Sequence, residues 1–217
     1  MADLPVPGPQ LTDEAAVGRV IPAAVRELME VLWSAGHGAF VVGGSLRDVL
    51  LGRQPLDWDL ATDARPDQIL RLFPAAVYQN AYGTVAVRHV DAIYEVTTFR
   101  TDHDYTDYRR PRRVEFGDSV EVDLARRDFT ANAVAWGAAA GTSPAIVDPH
   151  AGREDIAART LRAVGDPKAR FEEDALRMIR AVRLAATLDF TIEPATLAGI
   201  EANAVLVRYL SGERIQT

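Results

Sequence analysis

The chain has 217 residues, 48% of them hydrophobic and 25% charged, with a formal net charge of -7 and no cysteine. Those values exclude a disulfide scaffold, a zinc–thiolate site and a broadly basic nucleic-acid surface, and they leave an ordinary globular protein. No run of eighteen apolar residues occurs, and MADLPVPGPQ has neither a basic nor an apolar signal region, so no membrane is expected and cytoplasm is the default. Residues 1–14 carry prolines without periodicity and read as a flexible leader. From Ala15 to Trp33, the residues Val20, Ala24, Leu28, Val31 and Leu32 recur at helical spacing and predict one helix, ended by Gly36 and Gly38. AFVV then reads as a buried strand and SLRDVLLG as a short helix with Gly52 just past its end. DWDLAT reads as extended, RPDQILRLFP as a short helix stopped by Pro74, and TVAVRHV with AIYEVTTFR as a hairpin around Asp91. TDHDYTDYRRPRR is polar and aperiodic and reads as a loop able to move. Asp118 and Ser119 are placed to cap a helix through VEVDLARR, while FTANAVAW and AIVDP look extended. The longest helix is predicted over FEEDALRMIRAVRLAATL, burying Phe171, Ala175, Ile179 and Val182, with further helical pattern from Pro194 to Tyr209. The chain divides into a mixed part, residues 15–165, and an all-helical part, residues 166–217.

The chemistry concentrates in a few short stretches. In FVVGGSLRD a strand runs into Gly43-Gly44 and a helix start, which directs free backbone N–H groups at whatever docks there. Ser45 adds a hydroxyl and Arg47 a forked cation; a plain strand-to-helix turn with a serine cap is the simpler alternative. Ten residues beyond Arg47 stands Asp57-Trp58-Asp59. If that segment is extended, the two carboxylates share a face with Cα atoms roughly 6.5–7 Å apart. Like charges so close call for a cation between them, and a divalent metal fits, although two surface aspartates beside a turn would look the same. A phosphate cradle followed directly by paired carboxylates suggests a nucleoside triphosphate held through Mg²⁺.

Glu95 is the natural third carboxylate, mid-strand on the face of Ile93, Thr97 and Phe99, where an unpaired charge is costly, although a solvent-facing glutamate on an edge strand is the alternative. In DLARRDFTANA, Asp123, Arg126, Arg127 and Asp128 alternate in sign on a short helix and Asn132 follows on an extended segment. They are either surface ion pairs or a set in which the aspartates orient Arg127 toward a nucleotide. In EEDALRMIRAVR, Asp174 and Arg177 lie one turn apart, with Arg180 and Arg183 continuing at i+3. A solvated face explains this, yet an adjacent Asp and Arg also supply what is needed to read a base edge. All basic residues but Lys168 are arginine, the cation suited to bidentate phosphate contacts.

Taken in order, GGSLRDVLLG…DWDLAT, EVTTFRTD, DLARRDFTANA and EEDALRMIRAVRLA closely resemble the bacterial and eukaryotic branch of the tRNA nucleotidyltransferase/poly(A) polymerase family over roughly residues 38–217. The resemblance implies an α+β, polymerase-β-like nucleotidyltransferase head with a mixed sheet and flanking helices, followed by the start of an all-helical neck. It implies addition of CCA to the tRNA 3′ end from CTP and ATP, without a template. By that similarity Asp57 and Asp59 hold the metal ions and Glu95 is the third carboxylate. Gly43, Gly44, Ser45 and Arg47 contact phosphates, Arg127 and Asn132 belong to the nucleotide site, Asp174 and Arg177 pair with the base, and Arg180 and Arg183 line the same pocket. Residues 101–113 match the family's mobile loop.

Trp58 replaces the usual small residue between the aspartates and is expected to pack behind the sheet. Poly(A) synthesis or A-only addition shares these motifs and is the alternative activity. A silent nucleotide-binding module is disfavoured by the three intact carboxylates, and transfer to a small molecule has no use for the EDxxR helix. The ending LSGERIQT stops without a helix-terminating signal, so the chain is expected to be cut inside an element, with most tRNA contacts beyond Thr217.

Overall fold

The computed structural model describes residues 14–105 and 111–216. The expected leader therefore falls almost wholly outside the described residues, as does the middle of the 101–113 segment. The chain opens with α1 (Glu14–Val20) and α2 (Ala23–Ser34), not the single helix expected, because Pro22 has no N–H to continue the ladder and caps α2 instead. The buried stripe of α2 is Val25, Leu28, Met29 and Leu32, while Val20 and Val31 are exposed, contrary to the periodic reading. Strand β1 (Ala39–Val42) leads into α3 (Gly44–Leu50), β2 (Asp59–Thr62) and α4 (Pro66–Leu72). Next come β3 (Val77–Tyr78), β4 (Thr84–His89) and β5 (Ala92–Thr98), the last two forming the expected hairpin, with Val90 at φ 52° in its turn.

The segment expected as a loop is instead a two-stranded antiparallel ribbon where it is described, β6 (Arg100–Tyr105) against β7 (Pro111–Phe116). Its polar strands lack the alternation that signals a half-buried sheet. Helix α5 (Val120–Ala125) is capped as expected, Ser119 Oγ accepting from the Val122 N–H. Asn132 lies in a 3₁₀ turn, Thr130–Asn132, rather than on extended chain. Then follow β8 (Ala135–Ala138), β9 (Ala145–Val147), α6 (Gly152–Ala157) and β10 (Thr160–Leu161).

The long predicted helix is broken in two. Helix α7 (Pro167–Glu173) ends at Asp174, whose backbone is extended (φ -143°, ψ 108°), and α8 (Leu176–Leu188) starts anew. Asp174 itself closes the break, its Oδ1 accepting from the Leu176 N–H at 3.0 Å. Met178 and Ala181, not Val182, continue the buried side, and Val182 is exposed. The chain finishes with β11 (Thr191–Ile192), α9 (Pro194–Asn203), a 3₁₀ stretch (Ala204–Tyr209) and α10 (Gly212–Gln216). A short parallel pairing of β10 with β11 interrupts the otherwise helical second part.

The main sheet has seven strands in the order β3-β4-β5-β2-β1-β8-β9, mixed because β2 and β5 run parallel while the other neighbours are antiparallel. All four residues of β1 are buried because both of its faces are covered. Val41, Leu60, Val85 and Val96 face the large core beneath α2, α3 and α4, and that core continues into Phe171, Ala175 and Met178 of the helical part. Phe40, Val42 and Ala61 face a smaller cluster under α5 built with Val120 and Leu124. Trp58 packs against the large core, as expected for a residue behind the carboxylates.

Candidate active site

The two faces of the sheet decide where the carboxylates go. Asp59 opens β2 opposite Val42 on one side and Glu95 on the other, so the two acids stand side by side on adjacent strands. Directly paired residues share a face, which is here the face of Val42 and Ala61 rather than that of the large core. Asp57 lies in the bend just before β2, not in the strand, so the same-face relation expected from an extended segment is replaced by a turn that leaves Asp57 close. Glu95 is solvent-exposed, as its alternative reading had it, although β5 is an internal strand; beside it Ile93 is 58% exposed, and no described element packs over that part of the face.

The charges feel one another. Loss of hydration in the concave site pushes the Asp59 carboxyl up, Arg127 opposes this and Asp57 adds to it. Glu95 is also pushed up, by desolvation first and then by Asp59 and Asp57. Among the described residues no ion pair neutralises any of these acids. No set of three ligand side chains there closes around a metal by itself. That fits Mg²⁺, which is held by one or two carboxylates with phosphates and water completing its octahedron, and does not fit a closed protein cage.

Gly43 joins β1 to α3 with φ 74°, a conformation that L side chains resist. A Cβ there would sit 2.9 Å from Arg127 Nη1 and 3.7 Å from Asp59 Oδ2, so glycine lets the cation and the acid close on the turn. Ser45 Oγ donates to the Val42 carbonyl at 2.9 Å, and Arg47 is turned inward, donating to Asn132 Oδ1 at 2.8 Å and to Asp48. Both side chains therefore serve the turn from within. Among the predicted phosphate contacts Gly43 is itself buried and Gly44 half-buried.

Arg127 follows the end of α5. Its Nη2 donates to Asp123 Oδ2 at 3.1 Å, while its Nε is buried without a partner among the described residues. Asp123 also takes two bonds from Arg126. Burial alone would raise its pKa, but Arg126 and Arg127 together hold it below the usual carboxylate range. These acids are buried, so they are not the surface pairs that the alternating signs also allowed.

Asn132 continues inward: its Nδ2 donates to Asp128 Oδ1 at 3.1 Å, and Arg180 Nε donates to Asp128 Oδ2 at 2.7 Å. One chain of bonds, buried from Arg47 through Asn132 to Asp128 and half-exposed at Arg180, thus ties α3 to α8. Asp128 is held low, since Arg180, Asn132 and Arg177 outweigh the cost of its burial. Arg180 is therefore engaged rather than presented to a pocket, and Arg183, one turn on, is exposed.

Asp174 and Arg177 are brought beside this centre. Arg177 donates to the Arg126 carbonyl at 3.1 Å, to the Arg170 carbonyl, and to Glu173. Asp174 receives Arg214 of α10 at 3.1 Å, and its carboxyl is nonetheless raised, chiefly by burial. The sequence reading missed Glu173, Arg170 and Arg214. Glu173 bridges Arg170 and Arg177, and the only hint of it was a second acid beside Asp174. Arg170 also donates to the Ala125 carbonyl at 3.1 Å, pinning α7 to the end of α5.

The family model of the poly(A) polymerase head domain matches residues 39–162, which contain the carboxylates, the glycine turn and Arg127. The chain belongs to the poly(A) polymerase head-domain family. It is 48% identical over 189 residues to the CCA-adding enzyme of Geobacillus stearothermophilus, covering 87% of this chain and 46% of that protein. The Bacillus subtilis CCA-adding enzyme is 46% identical over 188 residues, covering 86% of this chain and 46% of that one. The Bacillus stearothermophilus CCA-adding enzyme solved with CTP superposes with a TM-score of 0.79 at 42% identity, over 88% of this chain and 46% of that chain. A tRNA nucleotidyltransferase solved with a primer tRNA and an incoming ATP analogue gives a TM-score of 0.69 at 26% identity, over 87% and 53%. The chain spans about half the length of these relatives.

Proposed function

We propose that this family member carries out metal-dependent, template-independent nucleotidyl transfer, adding C, C and A from CTP and ATP to the tRNA 3′ end and releasing pyrophosphate. The observation that carries the reading is the convergence of Asp57, Asp59 and Glu95 with Gly43 and Arg127 at one end of β1. The similarity to enzymes named for CCA addition supplies the substrates.

Asp57 and Asp59 hold Mg²⁺ together with the triphosphate. A divalent cation bound there would supply neutralisation of phosphate charge and a lower pKa for the attacking 3′ hydroxyl. Glu95 keeps a negative charge beside the pair and completes the acidic edge at which that hydroxyl must arrive. Gly43 and Gly44 let the phosphates approach the backbone, and Arg127 offers them the Nη1 beside the Gly43 turn while Asp123 fixes its Nη2. Ser45, Arg47 and Asn132 act as positioning residues that set the turn, and Arg180 fixes α8 through Asp128. Asp174 and Arg177 present an acceptor and donors to the base, Asp174 exchanging Arg214 for it, with Arg183 at the rim. In this reading residues 15–165 form the nucleotidyltransferase head, residues 166–217 begin the neck, and the reaction takes place in the cytoplasm.

The test is incubation with labelled CTP and ATP, Mg²⁺ and tRNA lacking its 3′ CCA, with products resolved at single-nucleotide resolution. Ordered C, C, A addition is expected. A lone A or a run of A contradicts CCA addition while retaining the chemistry.

A further inference from the structure

The face of the sheet that carries Asp59 and Glu95 is covered unevenly. Over β1, β2 and β8 it lies beneath α5, where Val42, Ala61, Val120 and Leu124 form the smaller cluster. Over β4 and β5 the same face is buried at Thr84 and opens among the described residues toward Glu95, Ile93 and Arg88. The register puts Thr84 with Thr97, Ala86 with Glu95 and Arg88 with Ile93, so these six side chains share that face. The sharing is visible in the contact of 3.2 Å between the Thr84 and Thr97 hydroxyls. The opposite face of the same strands bears Val85, Val87 and Val96 of the large core, so the alternation is unambiguous.

On the open face Ile93 is 58% exposed, Arg88 is exposed, and among the described residues the Arg88 side chain makes no ion pair or hydrogen bond. An apolar side chain and a free guanidinium thus continue outward from the carboxylates, with no element among the described residues to receive them. Arg88 lies two strands from Asp59 and two residues along. At a strand spacing of about 4.8 Å and a rise of about 3.3 Å, their Cα atoms are roughly 12 Å apart. One nucleotide plus an arginine side chain bridges that distance.

We infer that this open face of β4 and β5 seats the RNA strand that carries the attacking 3′ hydroxyl, with Arg88 contacting a backbone phosphate upstream of the terminus and Ile93 supporting the terminal sugar or base. The inference rests on the transfer reading above and adds the side from which the acceptor arrives. Three observations join in it. The hydroxyl must reach the face that holds Asp57, Asp59 and Glu95. The β1 side of that face is filled by α5 and by Arg127. The acids repel phosphate, whereas Arg88, a strand beyond Glu95, attracts it. Arg88 is a positioning residue in this account and touches no reacting atom.

The experiment measures, by fluorescence anisotropy, binding of an acceptor-stem RNA hairpin lacking CCA to the wild-type chain and to Arg88→Ala and Arg88→Glu, across a salt series. CTP binding in Mg²⁺ is measured in parallel by calorimetry. Arg71→Glu, on exposed α4 at the opposite face, controls for a general change of charge. RNA affinity is expected to fall about 5–10-fold in Arg88→Ala and further in Arg88→Glu. The salt slope should shrink by about 0.7–0.9, the value of one phosphate contact. CTP affinity should stay within about two-fold throughout, and Arg71→Glu should bind RNA as the wild type does. RNA affinities and slopes equal in wild type and Arg88 variants, including affinities too weak to measure at the lowest salt, overturn the inference, as does an equal loss in Arg71→Glu. Loss of RNA affinity at Arg88 with no CTP binding by any form sinks the transfer reading and leaves the RNA face standing.

Discussion

Asp59 and Asp128 lie in the same part of the fold and their surroundings push them in opposite directions. Asp59 is raised, by desolvation and by Asp57, so at neutral pH its charge is a burden to the metal-free protein. Asp59→Asn should therefore melt at the same or a higher temperature than the wild type in EDTA at pH 7. The gain should vanish as the pH falls below about 4, where the wild-type carboxyl is protonated in both states. The same variant should lose nucleotide incorporation. A much lower melting temperature would show that Asp59 has a structural partner and would contradict the metal assignment. Asp128 is held low by Arg180 and Asn132, so its contribution is complete above about pH 5 and fades on acidification through its folded pKa. Asp128→Asn should cost about 2–3 kcal/mol at pH 7, because its amide keeps one acceptor oxygen, sets an NH₂ against the other donor, and removes the charge that pairs with Arg180. By urea denaturation, its deficit should narrow as the pH approaches 3. A deficit independent of pH would contradict the ionised role. The sequence made both acids visible as candidates, yet it did not show which was buried. Alternating charges look the same on a solvated helix as in a closed network until the partners are placed by tertiary contacts.

At the scale of elements, the Gly43 turn and the break between α7 and α8 decide how the site is assembled. Gly43→Ala puts a Cβ against Arg127 Nη1 and forces φ 74° on an L residue. It should destabilise the fold by about 1–2 kcal/mol, read by denaturant titration, and weaken CTP binding at least about 10-fold. CTP binding that survives unchanged would remove Arg127 from the phosphate site. The break at Asp174 frees this carboxylate from a helical face and lets it meet Arg214 and, in the proposed reaction, a base. Asp174→Ala should lower the ratio of kcat/KM for CTP over UTP at least about 10-fold, since a site with matched polar groups rejects mismatched ones. An unchanged ratio would dismiss the base-reading role. Strands β1, β4 and β5, and helices α3, α4 and α5, were legible because alternation, helical spacing and caps spoke locally. Pro22 was a local signal too, overridden by the apolar period across it. The break at Asp174 had none, because EEDALR is good helical sequence and the interruption is fixed by tertiary bonds from Arg170, Arg177 and Arg214.

Across the whole molecule, one sheet with two unequal faces sorts structure from chemistry. The large core takes one face and runs on into α7 and α8. The other face is closed at β1 and β8 and, among the described residues, open where β4 and β5 carry Arg88 and Ile93, with the acids at the border. The mixed fold and the carboxylate, glycine and arginine motifs could be read from the chain. The parallel pairing of β2 with β5, which sets Glu95 beside Asp59, could not, because strand order across a crossover leaves no local pattern. In the proposed reaction that pairing makes a nucleotide site of the acids, and the central property proposed for it is dependence on a divalent cation. The most direct measurement is calorimetric titration of CTP into the chain, with Mg²⁺ and with EDTA, for the wild type and Asp59→Asn. The account predicts binding with Mg²⁺ that weakens at least about 10-fold in EDTA, and weak binding by Asp59→Asn under both conditions. CTP affinity that is the same with and without Mg²⁺, or undiminished in Asp59→Asn, would contradict it.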